Sequence, residues 1–289
     1  MRFLGVDLAW KDGNASGVAL LGGPRFPLHL REVPHTLGSH RAVLDWIERH
    51  VARHRAAVGV DAPLLGLGHG RRPADNEISR AFGRFHASTH SPSHVPALDR
   101  FARALIAAHG VDGFAPRVTP EGRRPAIREV YPNALQVRLF GLDETPGLRI
   151  VKYKRRRFPD KRQWAERGLG EFVQRCAQAI GGRYVVTADP AWNALVADRP
   201  APGLSGRELK SIEDRWDALL CALAVALEFC GPPGMMRFYS DGTDDSGAWR
   251  KGHILAPTLA GRLEARGSAG PRPFRGSRAR GGERRPTAL

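Results

Sequence analysis

The chain has 289 residues, 42% of them apolar, enough for a real core in one large domain or two modest ones. No stretch approaches the roughly 18 uninterrupted apolar residues of a membrane span, and MRFLGVDLAW lacks the basic, apolar and small-residue order of a secretory leader. A net charge of +16 suits polyanionic partners, nucleic acid foremost, and no membrane partner is expected.

The charge is unevenly spread. Thr258–Leu289 holds eight Arg and two Glu, a local +6, which leaves +10 on residues 1–257. Only six of the 45 basic residues are Lys, so compositional bias is the bland explanation of the total. The three cysteines, Cys176, Cys221 and Cys230, are odd in number and lack metal-ligand spacing. Free thiols in a reducing cytoplasm are the simple expectation.

In chain order, residues 2–9, 15–22 and 27–33 read as three short strands, the first two joined by the turn formers KDGNASG. SHRAVLDWIERHVARHR (39–55) repeats Val43, Leu44, Ile47 and Val51 at helical spacing. AAVGVDAPL (56–64) reads as a fourth strand, unbroken by polar residues until Asp61 and so covered on both faces. Residues 66–95 read as irregular, rich in Gly, Arg and His, and 66–125 as an insertion of loop and helix. Within it ALDRFARALIAAHG (97–110) is a helix ending on Gly110, a residue suited to a left-handed cap.

PAIREVYP (125–132) reads as a fifth strand stopped by Pro132. Helical patterns cover about 133–140, 161–180 and 207–229, and GAWRKGHILAP (247–257) suits a closing strand or hairpin. Residues 258–289 carry too few apolar side chains to fold and read as a disordered basic tail. The expected architecture is therefore an α/β domain over 1–257, a mixed sheet whose first three strands are antiparallel, flanked by helices.

Two strands end alike, GVDLAW with Asp7 and GVDAPL with Asp61. A carboxylate in an apolar strand costs several kcal/mol, of order ~20 in the idealised limit, unless something compensates it. In such sheets chemistry gathers where strands end. Two more acids, Asp214 and Asp217, lie three apart in SIEDRWDALLCALAVALEFCG, before a run apolar on all sides. Ser211 with Asp214 also fits a capping box, an ordinary structural role for Asp214 that accounts less well for Asp217. Glu129, beside Pro132 at the end of the fifth strand, is a fifth candidate, with a solvent-facing or ion-paired acid as the alternative. Carboxylates gathered at strand ends in a basic protein call for a hard divalent cation, Mg²⁺ or Mn²⁺. Two such ions about 4 Å apart support phosphodiester hydrolysis.

Taken together, FLGVDLAW, VGVDAPL, RRPADNEISRAFGRFHASTHSP, EVYPNALQVRLFG, YKRRR and EDRWDALLCALAVALE resemble a family of bacterial and archaeal predicted nucleases with an RNase H-like fold. The acid arrangement is similar to that of Holliday-junction resolvases. The resemblance implies strand ligands Asp7 and Asp61, a helix pair Asp214 and Asp217, no clear counterpart for Glu129, and an oligomeric state open to a homodimer. The expectation is a metal-dependent nuclease. The alternatives are a nucleic-acid-binding protein of this fold without catalysis, and a phosphoryl-transfer enzyme acting on a nucleotide.

Candidate nucleic-acid contacts come from two stretches. Around HASTHSPSH, the residues Arg71, Arg72, Arg84, His86 and His90 interleave with Phe82 and Phe85, a mixture suited to phosphate contact and base stacking or to a plain polar loop. His86, His90 and His94 are four apart, but Pro92 breaks the helix that would align them on a metal. RIVKYKRRR (149–157) adds Lys152, Lys154, Arg155 and Arg156, with phosphate binding set against a solvated charged face. Asp189 before Pro190 reads as a helix cap, and the Arg-rich tail would add salt-sensitive affinity.

Overall fold

A computed structural model describes residues 1–66, 70–89, 95–116, 118–120, 124–240 and 252–259. The fold is α/β, a mixed sheet flanked by helices. Strand β1 (Arg2–Asp7) pairs antiparallel with β2 (Ser16–Gly22), which also pairs antiparallel with two short edge strands, β3 (His29–Leu30) and β4 (His35–Leu37). Helix α1 (His40–Val51) crosses over to β5 (Ala56–Val60), which pairs parallel with β1 and with β6 (Ala126–Glu129). The sheet order is β3–β2–β1–β5–β6, with β4 beside β3 on the edge of β2. Of the strand expected at 27–33 only His29–Leu30 pairs with β2, and β4 lies beyond it at residues 35–37.

Side-chain alternation along each strand assigns the two faces. In β1, Leu4 and Val6 join the core beneath α1 and α3 (Pro96–His109), while Phe3 joins the core on the opposite side. In β5, Val58 and Val60 join the first core and Ala57 the second. Gly5 and Asp7, like Gly59 and Asp61, consequently share the face that Phe3 and Ala57 define.

That face is covered by the last long helix. In chain order the other helices are α2 (Pro73–Phe82), α4 (Pro132–Leu139), α5 (Lys161–Gln163), α6 (Gly170–Ile180), α7 (Pro190–Ala197) and α8 (Gly206–Cys230). A π-helical segment, Trp164–Leu169, joins α5 to α6. Helix α8 is buried almost continuously from Ile212 to Leu227. It lies directly on three glycines. A Cβ on Gly5 would sit well inside 3.0 Å of Ala218 O and Ala222 N, one on Gly17 of Asp214 O, and one on Gly59 of Cys221 O. These contact points recur at helical spacing along α8, so main chain meets main chain and the helix axis is fixed against the sheet.

The start of α8 differs from expectation. The capping box is Ser205 with Glu208: Ser205 Oγ accepts from Glu208 N at 3.2 Å, and Glu208 Oε2 accepts from Ser205 N at 2.6 Å. Ser211 and Asp214 therefore lie inside the helix, and Asp214 caps nothing. Ser205→Ala is expected to cost about 1 kcal/mol in urea unfolding, with no effect on the acids deeper in the helix.

Residues 73–82, expected to be irregular, form α2, opened by Pro73 at its first turn and by an Asp75 side chain that accepts from Arg72 N at 3.1 Å. Strand β7 (Met236–Tyr239) pairs antiparallel with β8 (Ile254–Pro257), giving the closing hairpin expected near 247–257 a partner that the pattern did not single out. Hairpin, α2 and α4 share a third core containing Ile78, Phe82, Val137, Tyr239 and Ile254. Asp189 occupies the N-cap position of α7, yet its carboxylate binds Leu30 N at 2.9 Å and His29 Nδ1 at 3.0 Å rather than capping the helix. His90, His94 and residues 260–289 of the basic tail lie outside the described residues.

Candidate active-site cleft

The parallel register sets the first two acids side by side. Val6 pairs with Val60, and Asp61 N donates to Val6 O at 2.9 Å, so Asp7 and Asp61 leave adjacent strands at the same level. Asp7 pairs across β2 with Gly17, the glycine on which Asp214 rests. Three residues separated by up to 207 positions thereby converge at one sheet end, where a cleft of about 970 Å³ opens. Its lining includes Asp7, Asp61, Glu213 and Asp214.

Burial without enough positive charge dominates the electrostatics. Desolvation, opposed by Lys154 and reinforced by Asp214, pushes the Asp7 carboxyl up to about 7. Desolvation also raises Asp61, with Asp7 and Asp217 adding to the shift. Desolvation raises Asp214 against the pull of Lys210. Asp7 and Asp214 lie close enough that each acts on the other's ionisation, and two adjacent carboxylates ionise together only where positive charge offsets them. Asp214 Oδ2 and Glu213 Oε2 are buried with no hydrogen-bond partner.

Two lysines compensate the remainder. Lys154 Nζ donates to Asp217 Oδ2 at 2.6 Å and lies 3.0 Å from Glu213 Oε1. Lys210 Nζ donates to Glu213 Oε1 at 2.9 Å and to Asp214 Oδ1. Asp217 is fully buried, its Oδ1 accepting from Tyr153 Oη at 2.6 Å and its Oδ2 taken by Lys154. Burial pushes its carboxyl up to about 6, opposed by Lys154. Both Asp217 oxygens are thus occupied from within the protein, and the residue anchors Lys154 at the cleft.

Among the described residues no group of three or more His, Cys, Asp or Glu side chains is arranged to hold a metal ion. The donors that could meet a hard divalent cation are the adjacent pair Asp7 and Asp214, with Asp61 on the next strand outside that pair. Mg²⁺ commonly takes one or two carboxylates and completes its shell with water and phosphate oxygens. The donor set is compatible with such an ion.

Glu129, with Arg72, lines the same cleft and its charge adds to the raised Asp61 carboxyl, but it approaches from the other face of the sheet. It pairs with Val60 in the sheet and so faces the opposite side of the pleat from Asp61. There it accepts from Arg72 at 2.5 and 2.7 Å and from Leu64 N at 3.1 Å. Arg72, expected to contact nucleic acid, is 5% exposed, and its guanidinium is held between Asp75 and Glu129. The physical reason is charge balance, since two buried acids there require a buried cation.

The other expected contacts divide. Arg155 and Arg156 line the cleft with Lys154. Arg71, Arg84, His86 and Lys152 do not line it. Arg71 binds Asn76 Oδ1 at 2.8 Å, Arg84 lies over the Phe85 ring at 4.6 Å, and Lys152 donates to His86 O at 2.6 Å. His86 is exposed in left-handed backbone, φ 63°. Sequence reasoning passed over Trp10, Arg207 and Lys210, all on the cleft wall, and gave Tyr153 and Glu213 no role in the site. Lys210 was within reach, since Lys at i and Asp at i+4 meet on a helix.

The raised carboxyls have a consequence for stability. Between the ordinary carboxylate range near 4 and about 7, the folded protein holds a proton on Asp7 that the unfolded chain releases. Folding therefore binds protons, and stability falls as pH rises through this window. Calorimetry of the metal-free protein is expected to show a melting temperature higher at pH 5.5 than at pH 8, with the difference reduced in Asp7→Asn.

The family described as "Protein of unknown function (DUF429)" matches residues 5–232, and the chain belongs to it. No curated protein and no solved structure matches the chain.

Proposed function

We propose that this member of the DUF429 family hydrolyses phosphodiester bonds of nucleic acid with Mg²⁺ or Mn²⁺. The observation that carries the reading is the convergence of Asp7, Asp61 and Asp214 at one sheet end, with a buried Asp214 oxygen lacking a partner. The strand order and the helix lying across the acids support the RNase H-like reading. Asp7 and Asp214 would hold the cation, with Asp61 beside them on the next strand. The chemistry such a group supplies when bound is activation of a water and offset of charge on the leaving oxygen.

The chain's own residues do the rest. Asp217 and Tyr153 hold the Lys154 ammonium at the cleft, where it would meet a phosphate oxygen as negative charge develops. Arg155, Arg156 and Arg207 on the wall would bind flanking phosphates and set the strand's position. The free thiols Cys176, Cys221 and Cys230 suit a reducing cytoplasm. No helix among the described residues is long and apolar enough to cross a membrane.

The test is cleavage of single-stranded, duplex, hybrid and branched DNA and RNA with Mn²⁺, Mg²⁺ or EDTA. Metal-dependent products from the wild type and none from Asp7→Asn support the reading. The lysines favour a second reading, a binding protein without turnover, because Lys154 and Lys210 already neutralise part of the acid cluster. Salt-sensitive binding with no cleavage under any metal would select it.

A further inference from the structure

The loop after β1 displays an aromatic ring to the cleft. Trp10 is 43% exposed, whereas Trp46, Trp164, Trp192 and Trp216 are each at most 4% exposed. Of the exposed large apolar side chains among the described residues, Trp10, Val33 and Leu148, only Trp10 lines the cleft. It stands three residues beyond Asp7.

The display is rigid. Ala9 N donates to Ser16 Oγ at 3.0 Å, and His40 Nε2 donates to Ala9 O at 2.7 Å. Past the tryptophan, Asp12 Oδ1 accepts from His40 N at 2.9 Å, and Asn14 N donates to Lys11 O at 3.2 Å. Leu8 is buried before it. Main chain pinned on both sides keeps the indole in contact with water, although burying so large an apolar surface would ordinarily stabilise a fold.

Resting on the nucleic-acid reading above, we infer that Trp10 is a base-stacking platform and that the cleft takes unpaired nucleotides. An indole lining the same cleft as Arg155, Arg156 and Arg207 combines the two elements of single-strand recognition, a π surface for the base and cations for its phosphates. Bases in a duplex are stacked on one another, and a rim tryptophan reaches their faces only after a nucleotide leaves the stack. Single strands, or unpaired positions in a larger substrate, present the base at no such cost.

Fluorescence anisotropy in EDTA tests this with a labelled thymidine strand of about 12 nucleotides and its duplex with the adenosine complement. The strand is expected to bind the full-length protein more tightly than the duplex. Trp10→Ala is expected to weaken strand binding by roughly tenfold and duplex binding little, with Trp10→Phe restoring most of the loss. Trp10 is a member of none of the three cores, and unchanged circular dichroism and melting temperature check that its replacement leaves the fold intact.

Equal loss on strand and duplex, an unchanged Trp10→Ala, failure of Trp10→Phe to restore binding, or no binding to either probe overturns the inference. EDTA removes turnover from the measurement, so the two proposals fail separately. Trp10-dependent strand binding without later cleavage leaves the platform and removes the hydrolase. Cleavage indifferent to Trp10 does the reverse.

Discussion

Asp7→Asn is expected to cut metal-dependent cleavage about a hundredfold or more and, in the metal-free protein, to raise the melting temperature by several degrees. The first effect follows from removing a charged ligand from a preorganised electrostatic site, where single groups are worth about 10²–10³ in rate. The second follows from burial. Asp7 resists ionisation until about pH 7 because it is desolvated beside Asp214. Asparagine has no charge to desolvate, and replacing the acid removes its repulsion with Asp214. At this chain length each kcal/mol recovered is worth roughly 2–4 °C. Activity lost together with a higher melting temperature at pH 8 is the combined signature. A variant that keeps cleavage removes Asp7 from the chemistry, and one that melts lower shows that its charge is already compensated.

Gly5→Ala is expected to destabilise the fold by about 3 kcal/mol or more, the upper end for overpacking a core. Its added methyl would meet Ala218 O and Ala222 N, both main-chain atoms of a helix buried almost all round. No rotamer change relieves a collision with backbone, so α8 must lift from the sheet. Gly17→Ala makes the same collision at Asp214 O and carries the added result of moving Asp214 away from Asp7. Gly203→Ala, where a Cβ meets nothing within 4 Å, is the control and should change stability little. Urea unfolding of the three variants reads the difference, and a Gly5→Ala protein within 1 kcal/mol of wild type would contradict the described packing.

Much of the site could be read along the chain because strands carry their own signal. The repeated Gly-Val-Asp at the ends of two apolar runs announced the two acids, while the parallel pairing that sets them side by side emerges only in the structure. Alternation also separates Glu129 from that group, and a register between the fifth and sixth strands would have revealed it. Two serine–acid spacings competed for the start of α8, and Ser211 with Asp214 mimicked the cap that Ser205 and Glu208 form. Segment 73–82 hid a helix behind Gly- and Arg-rich flanks, although Pro73 followed by Asp75 marks a helix start. Lys154 reaches Asp217 across 63 residues, and Arg72 reaches Glu129 across 57. Such pairings are made by tertiary packing, and no local pattern encodes them.

The crossover through α1 bears on how this site tolerates change over evolutionary time. Asp61 is positioned by pairing between β5 and β1, so lengthening or shortening the connection over residues 38–55 leaves the spacing of the two carboxylates intact. A single residue inserted inside Ala56–Val60 has the opposite effect. It turns Asp61 toward the aliphatic layer under α1 and brings a valine to the cleft. Changes of length in the bridge thus leave the carboxylate pair alone, although Val43, Trp46 and Ile47 tie α1 to the core, whereas the five residues of ladder admit none.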